Sequence, residues 1–509
     1  KILCFISNAF FNHSLKPVTT LFLFKDTYEA IVGENPPIIC MILKKILLTV
    51  KSNILLIPIL VIVVMSTLFS CGKSDISGSH EILNNLLINE DTSMHKNRLF
   101  DAETPYTLCY RNNDGSASLY IFPLPISYKN GNGDLELIDV SLTSVKDTDY
   151  KRRGYVFQTK AGDVKSYYPQ KANGEITITK GDTSLLSFAI DCEPSDECQK
   201  AIFRDILGRE RSSVIYNSSD DCSFECVPTS TGTVVNISFD KEPKTGEVSF
   251  YFGNQSIQSI SATNNTAVIT PNADPSQICA IRSSYLQDAS GNVCFNSMIR
   301  FEEYGQKVKC IVEMDKDFLK NSELTYPLSI SLAFDVLANS LPNITAYSDK
   351  PNDTLSNYSV IGPNTFYGEG ALYMKFRIGY VLKSYEQNVK NASLCFVALG
   401  GSKSDVKIRS ERLNEFWTYT TPELPIGYME ENSICVSNVG AYRFDITNYV
   451  KACIHDDTQN TEDFGLLISA ISDEAKVISN YNNALYLPYI KIDFYDVPWA
   501  FEKVEKINP

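Results

Sequence analysis

The stretch Leu328-Ser329-Ile330-Ser331-Leu332-Ala333-Phe334 alternates large apolar side chains with small ones. Successive side chains of a β-strand point to opposite faces, so a period of two predicts a strand with one buried face. Val235-Asn236-Ile237-Ser238-Phe239 and Leu372-Tyr373-Met374-Lys375-Phe376-Arg377-Ile378 show the same alternation. Because this pattern dominates from about residue 106 onwards, we predict an all-β fold of tandem β-sandwich modules with a few short helices.

Two local patterns add detail to this prediction. The strand at 235–239 is followed by the turn-forming Lys244-Thr245-Gly246 and then by the alternating stretch 248–252, so a hairpin is expected here. The segment 195–208 has the spacing of a short helix, with a Ser cap at its start and a Gly stop at its end.

Length and charge limit the class of protein. The chain has 509 residues, enough for about three domains at roughly 150 residues each. Aromatic residues make up 11% and charged residues 21%, which is the composition of an ordinary folded protein. The formal net charge of −14 argues against a nucleic-acid partner, because affinity for a phosphate backbone depends on Lys and Arg.

Residues 41–70 have the layout of an export signal, since a lysine-rich start precedes an apolar stretch that ends at Leu68-Phe69-Ser70-Cys71. This layout resembles a bacterial lipoprotein signal peptide, and the resemblance implies that Cys71 is lipidated and becomes the mature N-terminus. The alternative is an uncleaved transmembrane helix, which needs about 20 apolar residues. Residues 1–40 are expected to be upstream or non-native sequence.

The signal defines the expected location. The protein is predicted to lie at the bacterial cell surface, on the outer side of the membrane, with the membrane as its partner through lipidated Cys71. Residues 71–105 are then expected to form a polar tether with a short helix, which Ser79 can cap.

The remaining chain is divided by composition and by turn signals. A first β module is expected over 106–190, a Cys-bearing helical and loop connection over 191–230, a second β module over 231–339, a third over 340–496, and a C-terminal tail over 497–509.

The third module resembles the DNRLRE domain, a β-sandwich of bacterial and archaeal surface proteins that is related to a carbohydrate-binding module family. The resemblance implies a sandwich fold and a glycan-related role, although the hexapeptide that names the domain is absent. The motifs occur in the family's order: Pro363-Asn364-Thr365-Phe366-Tyr367-Gly368, Met374-Lys375-Phe376-Arg377, Ala392-Ser393-Leu394, Glu415-Phe416-Trp417-Thr418-Tyr419, Arg443-Phe444-Asp445-Ile446-Thr447-Asn448-Tyr449-Val450 and Leu487-Pro488-Tyr489-Ile490-Lys491-Ile492.

The region before this module is similar to the segment that precedes such domains in wall-associated RHS/YD-repeat proteins. The similarity lies in Pro125–Asn130, Leu137–Asp139, Leu286–Gly291 and Leu324–Ile330. No YD repeats follow in this chain, so the resemblance does not imply an encapsulating shell.

Eleven of the fourteen cysteines remain once Cys4, Cys40 and Cys71 are set aside. The close spacing of Cys192 with Cys198, and of Cys222 with Cys226, suggests two small disulfide loops in an oxidising compartment. Cys310 and Cys395 lie in apolar stretches and are expected to be core residues.

The sequence carries few residues suited to catalysis or metal binding. Only His455 of the four histidines lies in the folded body, so neither a Ser-His-Asp triad nor a His-based zinc site is expected. No cofactor is expected; calcium remains open, but the acidic pairs Asp220-Asp221 and Asp456-Asp457 lack a spaced ligand set. Glycoside hydrolysis by paired carboxylates also remains open, because the chain has 60 Asp and Glu.

Aromatic side chains of the third module are the candidate ligand-binding residues, because the C–H face of a sugar stacks on a ring. The candidates are Tyr358, Tyr367, Trp417 and Tyr419. Packing in the core is the alternative role, and it is the one expected for Tyr442 and favoured over binding for Tyr419.

The leading hypothesis is a non-catalytic, lipid-anchored extracellular protein whose β modules bind a polysaccharide, a cell-wall polymer or a surface protein in adhesion or attachment. Two alternatives stay open. One is a glycan-active hydrolase that uses paired carboxylates, and the other is a truncated N-terminal part of an RHS/YD-repeat surface system.

Lipidation can be tested at Cys71. We expect cells that express the full chain to incorporate a labelled lipid precursor into the protein, and Cys71→Ala to abolish the label because the acceptor thiol is gone. Equal label in both proteins, measured on the purified chains, would contradict the anchor.

Overall fold

The computed structural model describes residues 82–497, apart from 84–85, 89, 100–102, 194–196, 219–221, 322, 338–342, 365, 377, 379–387, 419–420, 422 and 456–463. The predicted signal segment, Cys71, residues 1–40, Tyr419 and nearly all of the predicted tail therefore lie outside the described residues. No helix among the described residues is long and apolar enough to cross a membrane.

Strands make up most of the described chain. In chain order they are β1 (His95–Arg98), β2 (Thr107–Asn112), β3 (Ala117–Ile121), β4 (Ser127–Lys129), β5 (Leu135–Leu137), β6 (Asp139–Ser144), β7 (Tyr155–Ala161), β8 (Val164–Pro169), β9 (Glu175–Lys180), β10 (Thr183–Ile190), β11 (Gln199–Arg204), β12 (Glu210–Asn217), β13 (Cys222–Pro228), β14 (Gly232–Phe239), β15 (Glu247–Gly253), β16 (Ile257–Thr263), β17 (Thr266–Pro271), β18 (Cys279–Ser283), β19 (Leu286–Gln287), β20 (Val293–Cys294), β21 (Met298–Tyr304), β22 (Lys307–Glu313), β23 (Leu328–Val336), β24 (Asn343–Tyr347), β25 (Tyr358–Asn364), β26 (Gly368–Met374), β27 (Val389–Gly401), β28 (Val406–Arg412), β29 (Met429–Val436), β30 (Gly440–Asp445), β31 (Leu466–Ala470), β32 (Lys476–Ser479) and β33 (Tyr489–Phe494).

Helices are short and few among the described residues. The α-helices are α1 (Thr148–Arg152), α2 (Lys316–Leu319) and α3 (Thr447–His455), and two 3₁₀ turns lie at Thr92–Met94 and Asn254–Ser256. The predicted all-β class is therefore confirmed.

The described strands form three large antiparallel sheets and one small one. Sheet I has 13 strands in the order β1-β2-β3-β33-β27-β32-β25-β26-β31-β28-β29, with β24 beside β26 and β30 beside β27. Sheet II has the order β21-β22-β15-β10-β9-β8-β7-β6. Sheet III has the order β11-β12-β13-β14-β23-β18-β17-β16, with β19 paired to β23 and β20 paired to β19, and β4 pairs with β5 alone.

Sheets II and III enclose one apolar core. The side chains that alternate along β14 and β23 face it, and Phe188 of β10 stacks on Phe334 of β23 with ring centroids 3.9 Å apart. Ile237 and Phe250, from opposite sheets, are also fully buried in this core. The period-two strands predicted at 235–239 and 328–334 are thus correct, and their buried faces form a sandwich, whereas the strand predicted at 372–378 lies in sheet I and ends at Met374.

Sheet I contains its own core. Leu372 of β26 and Ile408 of β28 pack in the same cluster as Leu394 of β27 and Ile490 of β33. Since β33 and β27 belong to one half of the sheet order and β26 and β28 to the other, the sheet curls so that its two halves pack on the same cluster.

The hairpin predicted over 235–252 is wrong. β14 pairs with β13 and β23 in sheet III, whereas β15 pairs with β10 and β22 in sheet II. Both segments are strands with the predicted buried faces, but the turn carries the chain across the sandwich. The alternation of apolar and polar side chains indicates which face of a strand is buried, but it does not identify the neighbouring strand.

The helix predicted over 195–208 is also wrong where the structure describes it. Residues 199–204 form β11, an edge strand that pairs with β12. Ile202 is 70% exposed and Ile206 is 46% exposed, so the apolar positions that suggested a helix face do not enter a core. The backbone hydrogen bonds of this segment go to a neighbouring strand, which overrides its local helical spacing.

Strand pairing crosses the module boundaries expected from composition. β6–β10 of the predicted 106–190 module share sheet II with β15, β21 and β22 of the 231–339 module. β3 lies between β2 and β33, so β1, β2 and β3 belong to the same sheet as the strands of the predicted 340–496 module. The predicted 191–230 connection supplies three strands to sheet III.

Part of the predicted 71–105 tether is packed against the fold. Leu83, Leu87 and Ile88 are buried, and Leu87 N donates to Leu83 O as in one turn of helix. The Glu90 carboxylate, only 3% exposed, lies 2.8 Å from the Arg443 guanidinium and 3.0 Å from Lys491 Nζ. This segment is therefore held on sheet I by apolar contacts and by buried ionic contacts.

The close approach of β14 to β23 gives a stability test. A Cβ at Gly232 would overlap the carbonyl oxygen of Phe334, whereas a Cβ at Gly131 would meet no atom within 4 Å. We expect Gly232→Ala to lower the free energy of unfolding by about 1–3 kcal/mol because the strands must separate. Gly131→Ala is the matched control in urea denaturation, and equal stability of the two variants would contradict this packing.

Candidate functional site

Aromatic rings gather where the three large sheets meet. Phe295, which follows β20, lies 5.7 Å from Tyr285, 5.9 Å from Tyr358 and 5.7 Å from Tyr367 between ring centroids. Tyr347 lies 4.7 Å from Tyr367. We call these five residues the junction cluster, because they join strands of sheet I to the loops of sheets II and III.

A cavity of about 540 Å³, the larger cleft, opens on one side of the junction cluster. Its walls are formed by the β16–β17 turn, the segment before β21, the end of β22 and the loop between β24 and β25. The residues that line it are Thr263, Asn264, Asn265, Thr266, Phe295, Asn296, Ser297, Met298, Glu313, Met314, Tyr347, Lys350, Pro351, Asn352, Asp353, Thr354, Leu355 and Tyr367.

Tyr367 and Lys350 form one wall of the larger cleft. The Tyr367 hydroxyl donates to the carbonyl oxygen of Phe295 at 3.1 Å, and burial raises the pKa of Tyr367 to about 12. Lys350 Nζ lies 4.1 Å from the centroid of the same ring, within the range of a cation–π contact. Burial lowers the pKa of Lys350. The wall therefore presents a fixed ring and a half-buried ammonium group.

The loop that carries Lys350 is anchored by Asp353. Its carboxylate accepts the backbone N–H groups of Leu355 and Ser356, each at 2.9 Å, and the Ser356 hydroxyl. Its backbone pairs with Thr345 in both directions at 2.8 Å. Asn352 and Thr354, which flank Asp353 and line the cleft, are thus held on an ordered turn.

The two carboxylates that line the larger cleft both have partners. Glu313 forms an ion pair with Arg300, and Asp353 is occupied as described above. Glycoside hydrolysis needs one carboxylic acid and one carboxylate facing the scissile bond. Neither lining carboxylate is presented in that way.

A smaller cleft of about 200 Å³ lies on the other side of the junction cluster. Tyr358, Tyr285, Asn236, Arg211 and Tyr486 are among the residues that line it. Several of its polar groups already have hydrogen-bond partners within the protein. Arg211 Nε donates to Asp205 at 2.8 Å, and the Ser331 hydroxyl donates to Asn236 Oδ1 at 2.7 Å. The larger cleft offers more unoccupied polar surface and is the better candidate site.

The structure brings Tyr358 and Tyr367 together and separates Trp417 from them. Tyr358, 2% exposed, is a core member of the junction cluster whose hydroxyl accepts from Asn265 Nδ2 at 3.4 Å. Tyr367 is 8% exposed but lines the larger cleft. Tyr358 is thus too buried to stack on a ligand, while Tyr367 remains a candidate. Tyr419 lies outside the described residues.

The interpretation of Trp417 as a ligand-binding residue is wrong. Its side chain is fully buried against Tyr373 and Leu467, and its indole N–H donates to the carbonyl oxygen of Phe464 at 2.7 Å. The core role expected for Tyr442 agrees with its packing on Phe396, while its hydroxyl donates to Asn438 O at 2.9 Å.

The two proposed disulfides are not formed. Cys222 and Cys226 lie on the same strand, β13, four residues apart and therefore about 13 Å apart, whereas a disulfide needs Cα atoms within about 7 Å. Cys198 and Cys226 are free thiols, and burial raises the pKa of Cys198 to about 11. Cys310 and Cys395 are fully buried, as expected for core residues.

Among the described residues, no group of three His, Cys, Asp or Glu side chains is placed to hold a metal ion. The acidic pairs at 220–221 and 456–457 lie outside the described residues. Sequence reasoning missed Lys350, Asn352 and Phe295 as site residues, because no local motif marks a cleft formed by loops of three sheets. The polar run Ser348–Thr354 was the one available signal.

The burial of Trp417 can be tested directly. We expect Trp417→Ala to lower the free energy of unfolding by about 3–5 kcal/mol, because it leaves a cavity and an unpaired carbonyl. Phe416→Ala is the control, since the neighbouring ring is 60% exposed, and we expect a change within about 0.5 kcal/mol. Similar urea midpoints for both variants would contradict the burial.

Comparisons with known proteins define no family. No family model and no curated protein matches the chain. Among solved structures, similar ones are those of the exo-β-1,3-galactanase of Phanerochaete chrysosporium, determined with β-1,3-galactotriose and with galactose. Both are 9% identical to this chain, with TM-scores of 0.13 and 0.12. Each alignment covers 77% of this chain and 94% of the galactanase chain. Scores this low establish no relationship of fold or function.

Proposed function

We propose that this protein is a non-catalytic, lipid-anchored surface protein of a bacterium, and that it binds glycan in the larger cleft. The observation that carries the proposal is the cleft itself, a cavity of about 540 Å³ that combines polar side chains with fixed aromatic rings. Ligand pockets for small molecules commonly measure about 300–1,000 Å³. The cavity is thus large enough for one or two sugar units.

The residues of the cleft have the chemistry that sugars need. The rings of Tyr347 and Tyr367 lie on its wall, and a ring can pack against the C–H face of a sugar. The amides of Asn264 and Asn352 and the hydroxyl of Thr354 also line it, and such groups can exchange hydrogen bonds with sugar hydroxyls. The anchored Asp353 turn supports binding by holding part of this surface in place.

The state of the two lining carboxylates supports a binding role over hydrolysis. Both Glu313 and Asp353 already accept strong hydrogen bonds from this chain. A hydrolase would need to release at least one of them for proton transfer to the glycosidic oxygen.

The surface location rests on the sequence pattern that ends at Cys71. The resemblance of residues 340–496 to the DNRLRE domain, which is related to carbohydrate-binding modules, supports the same class of ligand. The proposed site nevertheless draws on residues outside that region, including Asn264, Phe295 and Glu313.

Glycan binding should be measured with the compact unit 79–509, because β3 from residues 117–121 completes the sheet that contains β33. We expect this protein to bind at least one polysaccharide class on a glycan array. Asn352, exposed at the cleft, can be changed to Trp to fill the cavity, and we expect Asn352→Trp to remove that binding.

Asn132→Trp places the same side chain on an exposed turn outside the cleft and serves as the control. If the wild type binds no glycan, or if both Trp variants bind like the wild type, glycan binding in this cleft is refuted.

A further inference from the structure

The larger cleft contains one cation that lacks an ionic partner. Lys350 is the only Lys or Arg among the residues that line it, and Lys350 forms no ion pair with any described residue. Its side chain is half-buried. The contact with the Tyr367 ring positions the ammonium group but does not neutralise it.

Other shielded cations of this protein do have polar partners. Lys491 lies 3.0 Å from the Glu90 carboxylate, and the Arg412 guanidinium is paired with Glu431. Lys476 Nζ donates to the carbonyl oxygens of Ser402 and Ser437. Lys350 departs from this pattern, because its ammonium group faces a ring and an open cavity. A charge removed from water without a partner is unfavourable, so an anion in the cavity would stabilise it.

We propose that the larger cleft selects saccharides that carry a carboxylate, and that Lys350 binds this group. The inference rests on the proposed glycan-binding function and names the ligand class of the same site. Asn352 and Thr354, on the same turn as Lys350, are placed to donate hydrogen bonds to the same sugar unit.

The charges around the cleft favour a singly charged group. Glu313 and Asp353 also line the cavity, and although each has a partner in the protein, both add negative potential. A phosphate monoester carries a charge of about −1.5 to −2 at one position and therefore meets more repulsion in the same space. One carboxylate per sugar unit, as in a uronic acid, matches one ammonium group.

The test uses oligosaccharides of galacturonate, glucuronate and mannuronate with unit 79–509, and calorimetry as the readout. Each acid is compared with its methyl ester, which keeps the sugar and removes the charge. We expect the acid to bind about tenfold or more tightly than the ester, and the preference to fall as salt concentration rises.

Substitutions at Lys350 assign this preference to one residue. Lys350→Met keeps an apolar stem on the Tyr367 ring, and we expect it to remove the preference, so that the affinities for the acid and for the ester become about equal. Lys350→Arg should retain the preference because it keeps the charge. Lys171→Met, at an exposed lysine outside the cleft, is the matched control. Thermal unfolding of all variants confirms that they fold.

Three outcomes would overturn the inference: equal affinity for acid and ester, an undiminished preference in folded Lys350→Met, or tighter binding of a sulfated dextran oligosaccharide. If Lys350→Met does not fold, loss of the preference in Lys350→Gln with its retention in Lys350→Arg decides the assignment. Binding of neutral glycans alone refutes this inference but leaves the proposed function standing, whereas no binding of any glycan refutes both.

Discussion

The packing of Phe295 against Tyr285, Tyr358 and Tyr367 is the contact on which the candidate site depends. Tyr285 and Phe295 come from the part of the chain that forms sheets II and III, and the two other tyrosines come from sheet I. Aromatic rings bury large apolar areas and pack in specific edge-to-face geometries, so a few of them can fix the relative position of two β layers. Both clefts lie beside this cluster.

The pairing of distant strands makes the described chain one folded unit. β3 separates β2 from β33, so strands nearly 370 residues apart in sequence are neighbours in one sheet. Sheet II likewise mixes strands from before and after the 199–239 region. Such long-range pairing costs loop-closure entropy before it gains contacts, which places the protein among slowly folding topologies.

The sequence predicts features set by neighbouring residues, such as strands and their buried faces. It does not predict features set by distant residues, such as strand partners and the cover of a side chain. The strands at 328–334 and 372–374 were predictable because burial on one face imposes a period of two. The strands that pair with β14 were not predictable, because the same alternation fits any neighbouring strand. Trp417 and Tyr358 have the residue type of binding residues, but their burial depends on which residues cover the strand. Tyr358 is covered in part by Phe295, which lies 63 residues earlier in the chain. Lys350 could be recognised only once the surrounding loops were placed.

The Glu90 contacts have a mechanical consequence. A pulling force applied to the chain before residue 82 would reach sheet I first, through buried Leu83, Leu87 and Ile88 and the hydrogen bond from Ile88 N to the Tyr489 hydroxyl. The carboxylate of Glu90 would share that load with Arg443 and Lys491. None of these residues lines the larger cleft. Tension on the N-terminal side would thus be borne first by β33 and its neighbours, at residues that form no part of the cavity beside Tyr367.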